Sequence, residues 1–336
     1  MSLIRLKDIA KILEVSESTV SRALRNHPRI SQATQERVKR LAEQLDYTPN
    51  QMALNLQNKH INAIGVVVPK LGYYLYAQAI SGMEEVAEKV GYNIIICQSN
   101  ESAAREKAIV QELIGTRIAG FVISLSSSTN DFEHLAKIKR RNIPLVFFNR
   151  ECEEIYTDRV IIDNFGAAKQ AVEHLIRTGC RRIAYLGGPR NVQISNRRLE
   201  GYKAALLEHG LPLQDDLILH TEFNTHSARL AALSLLSHPN RPDAFLVFSD
   251  QFAYTIYLLA RELGLRIPHD ISIIGFNNEP ASELLLPPLT TISQPAFEMG
   301  QTAAQLLFHQ ILHRDTYYRS QTKVLKSGLI VRASTR

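Results

Sequence analysis

LKDIAKILEVSESTVSRAL, residues 6–24, places two short helical periods on either side of a two-residue break. Ile9, Ile12 and Leu13 share one face of a first helix over about residues 6–13. Glu14-Val15 supplies a tight turn. The Ser16 hydroxyl can then cap a second helix by accepting from an amide that its first turn leaves without a partner. Val20, Ala23 and Leu24 face inward on that second helix. Glu17, Ser18, Ser21, Arg22 and Arg25 fall at i, i+1, i+4, i+5 and i+8, so they share the opposite face. Ser31 can cap a third helix, in which Val38, Leu41, Ala42 and Leu45 recur at helical spacing. Two short helices joined by a turn of three or four residues form a helix-turn-helix, with the second positioned to enter a DNA major groove.

The polar face of the second helix suits that task. It starts at a helix N-terminus, where side chains reach base edges and backbone amides meet phosphate. Arg22 is the candidate for a two-pronged bond to guanine, and Glu17 can accept from cytosine or repel other sequences. A solvated face on an amphipathic three-helix bundle would show the same periodicity. Charge favours the DNA reading. Residues 1–60 carry ten Lys and Arg against six Asp and Glu, whereas the other 276 carry 29 against 27. A basic head on a nearly neutral body suits a polyanion partner.

Leu6-Lys7-Asp8-Ile9-Ala10, Val15-Ser16, Thr19-Val20-Ser21-Arg22 and Tyr47-Thr48-Pro49-Asn50, followed by Ala53 and Leu56, resemble the head of the LacI/GalR repressor family without a gap. The resemblance implies an all-α DNA-binding head over 1–48 and a hinge over 49–61. In that hinge Gln51 to Lys59 form a helix that orders on DNA, and Leu56 wedges into the minor groove. Asn50 and Ala53 join the DNA-binding set on the same ground. Nine residues are too few for a stable isolated helix, since lengths below about 12 are marginal in water, so folding and binding would be coupled. Three residues depart from the pattern: Glu14 for the usual turn glycine, Arg5 for the usual threonine cap, and Leu54 for a basic hinge residue.

Beyond residue 61, apolar runs alternate with helical patterns. The runs are Ile64–Val68, Asn93–Cys97, Gly120–Ser124, Pro144–Phe148, Val160–Asp163, Arg182–Gly187, Ala244–Phe248 and Ile271–Phe276. Between them lie amphipathic segments such as Ala77–Val90, Ala167–Arg177, Leu199–His209 and Phe252–Leu263. Continuous apolar strands separated by helices predict an α/β fold of parallel sheets covered on both faces. About ten strands predict two doubly wound, Rossmann-like lobes.

Ile162-Asp163-Asn164, Gly187-Gly188-Pro189, Arg198-Leu199-Glu200-Gly201-Tyr202, Ile274-Gly275-Phe276 and Pro287-Pro288-Leu289-Thr290-Thr291-Ile292 extend the resemblance to the family's effector domain. That domain is similar to periplasmic sugar-binding proteins. The resemblance implies a domain over 62–336, with one lobe at about 62–162 and 290–322 and the other at about 163–289 and 323–336. Arg198 and Asp250 match positions that contact effectors, and Phe223 matches an aromatic that stacks on them. Leu75, Tyr76, Ser124 and Asn149 are positional candidates on the first lobe. The usual Asn-Asp pair stands here as Ser249-Asp250, and Gly-Phe-Asp-Asp as Gly275-Phe276-Asn277-Asn278, so pocket polarity should differ. An acid, a guanidinium fork and an aromatic plate suit a sugar, and leave a purine or nucleoside open.

Other classes find less support. The glycine-rich nucleotide signatures GxGxxG and GxxxxGK[ST], the GxSxG elbow and HExxH are missing, so neither catalysis, a cofactor nor a metal is expected. Cys97, Cys152 and Cys180 are far apart and odd in number, which suits a reducing compartment. With no apolar run of membrane-spanning length, the expectation is a cytoplasmic homodimer on a pseudo-palindromic operator, probed by a small-molecule effector. Control by a protein partner instead of a metabolite is the alternative.

Overall fold

Three helices, α1 (Leu6–Ile12), α2 (Glu17–Leu24) and α3 (Gln32–Gln44), build the first unit of the computed structural model. The structure describes residues 4–24, 26–47, 61–313 and 319–336. Asp8 Oδ2 accepts from the Arg5 amide at 2.8 Å, so the acid in the first turn of α1 fills the place of a threonine cap. Ser16 and Ser31 cap α2 and α3 through Oγ, accepting from Thr19 N at 3.1 Å and Thr34 N at 3.3 Å. Ile9, Ala10, Val20, Ala23, Val38 and Ala42 are buried at the centre. Glu14 turns the chain with φ +55°, the left-handed region where a side chain costs roughly 1–2 kcal/mol and glycine costs nothing.

Residues 62–336 form a second unit, separate from residues 1–61. It contains β1 (Ala63–Val68), α4 (Tyr74–Lys89), β2 (Asn93–Gln98), α5 (Ala103–Gly115), β3 (Gly120–Ile123), α6 (Glu133–Arg140), β4 (Leu145–Phe148) and β5 (Asp158–Ile162). There follow α7 (Asn164–Arg177), β6 (Ile183–Gly187), α8 (Gln193–Glu208), β7 (Ile218–His220), α9 (Thr225–Leu236), β8 (Ala244–Val247), α10 (Asp250–Glu262), β9 (Ser272–Asn277), α11 (Ala281–Leu284) and β10 (Thr290–Ser293). The chain ends with α12 (Ala296–Leu312), β11 (Thr322–Leu325) and β12 (Gly328–Ile330).

Two six-stranded sheets result, ordered β11-β5-β4-β3-β1-β2 and β12-β10-β9-β8-β6-β7. Every pairing is parallel except β10 with β12. Central strands β1, β3, β4 and β8 are buried throughout, which is why they read as unbroken apolar runs. In each lobe the chain steps outward from the first strand and then returns to its other side. That reversal opens a crevice at the carboxyl ends of the strands.

The lobe boundaries expected at residues 290 and 322 both move. Thr290–Ser293 does not open the return to the first lobe; it lies parallel to β9 inside the second sheet, with Thr290 N bonded to Ser334 Oγ at 2.8 Å. The return follows it, through α12, whose Met299, Ala303 and Leu307 join the first-lobe core with Met83. Thr322–Leu325 then extends the first sheet beside β5. The sequence hid both strands for opposite reasons. β10 buries threonines that look like a polar link, and β11 is an exposed edge with no apolar run.

Candidate functional site

In the head, Glu17, Ser18 and Arg22 are exposed along α2 and Ser21 is half-buried, so the face predicted from spacing is outward. Ser16 Oγ meets Ser18 Oγ at 2.8 Å and Thr19 Oγ1 at 2.9 Å, tying the cap to the start of that face. Val20 and Ala23 on the other side are fully buried. The helix therefore presents Arg22 from a braced scaffold. Arg25, Asn50, Ala53 and Leu56 lie outside the described residues.

In the second unit a cavity of about 170 Å³ lies between the lobes, lined by residues that follow the carboxyl ends of both sets of strands. Arg198 on α8 forms part of its wall and is almost wholly buried. Its Nε donates to Asn164 Oδ1 at 2.9 Å and its Nη1 to Phe248 O at 2.7 Å. The guanidinium stacks 3.7 Å from the centre of the Phe276 ring and 4.7 Å from that of Phe248. Burial pulls its pKa down to about 9, which leaves it cationic at neutral pH. Held on three sides, the fork can turn its remaining donors on a ligand without reorganising.

Phe223, beyond β7, packs its ring 4.8 Å from Phe248, and the Arg150 guanidinium lies 4.4 Å from its centre. Arg150 belongs to the first lobe, where Glu101 holds it through bonds of 2.8 and 3.0 Å. Tyr73 Oη, also of the first lobe, donates to Phe223 O at 3.1 Å. Asn191 bonds Ser127 O, and Gln193 bonds Glu153, across the same gap. These contacts draw the lobes together around the cavity. On the first-lobe side Tyr76 Oη meets Ser124 Oγ at 3.1 Å and accepts from Asn149 Nδ2 at 3.1 Å.

The floor on the second lobe comes from strand ends. Asn277 closes β9, Glu279 stands two residues beyond, and Gln294 stands one residue beyond β10. Gln294 Nε2 donates to Asn277 Oδ1 at 2.6 Å. Burial pushes the Glu279 carboxyl above the usual range, against the pull of hydrogen bonds with Gln251, Asn277 and Tyr254.

The profile described as bacterial regulatory proteins, lacI family, matches residues 5–50, and that of a periplasmic binding protein-like domain matches residues 172–335. The HTH-type transcriptional repressor CytR of Escherichia coli (strain K12) is 34% identical over 331 residues, covering 98% of this chain and 96% of its own. The chain belongs to the LacI family. Among solved LacI-family structures, the lac repressor dimer bound to operator and the anti-inducer ONPF aligns with a TM-score of 0.87 at 25% identity, covering 99% of both chains. A transcriptional regulator CelR–cellobiose complex aligns at 0.75 and 28%, covering 98% of this chain and 99% of its own. As a LacI-family protein the chain is a DNA-binding transcriptional regulator with an α/β effector domain, as its sequence led one to expect.

Set on this LacI-family frame, Arg198, Phe223, Leu75, Tyr76 and Asn149 all line the cavity. Ser124 does not; it stands behind Tyr76 and orients its hydroxyl. Asp250 is the residue misplaced by sequence reading. It is fully buried and absent from the cavity wall. Its carboxylate instead accepts from Glu279 N at 2.7 Å, Ser282 Oγ at 2.9 Å and Thr291 Oγ1 at 2.6 Å, which pins the loop after β9. Gly275 admits it, since a Cβ there would lie 2.1 Å from Asp250 Oδ1. The neighbour Ser249 lines the cavity in its place. Tyr73, Glu279 and Gln294 were missed as wall residues. The rule that ligands sit beyond strand ends pointed to Asn277 and its followers, but β10 had to be recognised before Gln294 could be placed.

Proposed function

We propose that this chain is a transcriptional repressor that binds a pseudo-palindromic operator as a homodimer and is switched by one small, ring-shaped effector in the interlobe cavity. The observation that carries the reading is the cavity itself: a buried, pre-stacked Arg198, the Phe223–Phe248 aromatic pair and Asn149 converge there from two lobes. Ligand-binding pockets of this make are mostly apolar with a few convergent polar groups. At about 170 Å³ it lies below the ~300–1,000 Å³ of drug-sized sites, which suits a small ligand. The cellobiose complex of the CelR relative supports a sugar. A nucleoside is the second reading, favoured by the aromatic pair, which suits a base.

Operator binding as a homodimer follows because one α2 helix reads few base pairs and a two-fold pair of heads reads a palindrome. The hinge over residues 49–61, with Leu56 in the minor groove, is part of this proposal, as is action in the cytoplasm. Among the described residues no helix is long and apolar enough to cross a membrane. The proposed role is regulation by binding, without catalysis.

The test is the melting temperature of the full chain against sugars, sugar phosphates, nucleosides and purines. A ligand at 100 times its Kd should stabilise the folded state by about 2.7 kcal/mol. Arg198→Ala should remove that shift. A shift that persists in Arg198→Ala would place the ligand elsewhere and contradict the reading.

A further inference from the structure

The amino edge of the first sheet, opposite the crevice, is where the chain enters the second unit. β1 starts at Ala63; Asn62 O accepts from Asn93 N at 3.0 Å, and Ala63 O from Ala119 N at 2.8 Å. The loops that lead into the neighbouring strands are basic. Arg117 stands three residues before β3, Lys139 and Arg141 six and four before β4, and Arg319 three before β11. Every strand of this sheet runs parallel, so these loops share one rim. All four residues are exposed, and among the described residues none of them makes an ion pair. Arg117 also takes φ +57°, the left-handed region that favours glycine, so a long cation stands where the turn itself asks for no side chain.

The equivalent rim of the second sheet is built differently, with acids set beside its arginines. Arg182 pairs with Asp216 at 3.0 Å and Arg266 with Asp270 at 3.1 Å, and Arg241 adds to the pull on Asp270. Asp243 accepts from the Arg181 and Arg182 amides at 2.8 and 3.0 Å. On the first rim the acid at the start of β5, Asp158, is fully buried and taken up by Gln310 and Gln321. A body that is nearly neutral in total thus concentrates unpaired cations on one edge.

We infer that Arg117, Lys139, Arg141 and Arg319 form a second DNA contact, on the effector domain itself, that takes phosphates of the duplex flanking the operator core. The inference rests on the head binding an operator. Long cations spread over several loops suit phosphates rather than base edges, so they add affinity without adding sequence preference. The tether favours DNA as the occupant. Residues 49–61 span at most about 45 Å even when fully extended, so a duplex held by the head stays at high effective concentration around this rim.

Fluorescence anisotropy of the full chain tests this with two duplexes that carry the same operator, selected from a random-duplex pool. One is trimmed to the operator core, and the other extends it by about one helical turn at each end. At low salt the wild type should bind the long duplex about fivefold or more tightly than the short one. Its affinity for the long duplex should also fall more steeply with salt, by roughly 0.9 in log–log slope for each extra phosphate neutralised. The triple variant Arg117→Gln, Lys139→Gln, Arg141→Gln should bind the short duplex as the wild type does and gain less than about twofold from the flanks. A charge-matched triple on the second lobe, Arg177→Gln, Arg241→Gln, Arg261→Gln, should keep the wild-type gain, which separates a local contact from a change in net charge. The inference is overturned if the flanks give the wild type no gain, if the first triple keeps that gain, or if both triples lose it. The rim would then be left for an acidic protein partner. Equal loss by the first triple on both duplexes would also overturn it, by placing those residues in support of the head rather than on the flanks. Failure of the wild type to bind even the short duplex would sink operator binding itself, and the rim contact with it.

Discussion

Asp250 sits where burial and hydrogen bonding oppose each other. Its carboxyl is pushed up to about 7 by burial, against the pull of Thr291, the Glu279 amide and Ser282. The folded chain keeps the proton over a range in which the unfolded chain, near 3.8, has lost it. Its contribution to stability is therefore fully present below about pH 4 and is lost as pH rises through 7. Asp250→Asn carries no such charge. Chemical denaturation at pH 5 and pH 8 should show the wild type losing stability relative to Asp250→Asn as pH rises, by up to about 1.4 kcal/mol per unit. A difference that does not change with pH would contradict the assignment. The sequence showed that an acid stood at this position but not which way it faced. Arg198 and Phe223 were legible because both match effector-contacting positions of the family pattern. Asp250 was not, because Ser249 and Asp250 are neighbours and only the helix start at Asp250 decides which one meets the cavity.

Between elements, closeness depends on missing side chains. Gly300 on α12 lies against α4 so tightly that a Cβ would stand 1.8 Å from Ala79 O, and Gly82 on α4 meets Phe297 O at 2.1 Å in the same way. The second lobe repeats the device, with a Cβ at Gly201 on α8 placed 2.2 Å from Phe165 O on α7. None of the three obstacles is a flexible tip; all are backbone oxygens. Gly300→Ala should therefore force α4 and α12 apart and destabilise the fold by about 1–3 kcal/mol, as overpacking does. Urea denaturation checks it, and an unchanged midpoint would mean that the helices part without cost. These contacts were invisible in sequence, since periodicity gives a helix its inward face but not its distance from a neighbour. Helix starts were late for a related reason. α8 begins at Gln193, six residues before the expected Leu199, because its first turns carry polar residues that serve the cavity rather than the core. Central strands were read to within a residue or two, and the poorly buried edges β7, β11 and β12 were the hard ones.

For the molecule as a whole, the head and the effector domain each explain half of a switch, and the coupling between them is the central claim. Contacts across the cavity, from Tyr73 and Arg150 to Phe223, give a ligand something to strengthen or break. A ligand alters DNA binding only through its unequal affinity for the two states, and the effect is reciprocal. The most direct measurement is fluorescence anisotropy of the full chain on an operator selected from a random-duplex pool, with and without a ligand that raises its melting temperature. A change in operator affinity of fivefold or more is predicted for the wild type, the lower end of usual allosteric coupling. The same ligand should leave the affinity of Arg198→Ala unchanged. Equal operator affinity in the wild type with and without saturating ligand would contradict control of DNA binding from the interlobe cavity.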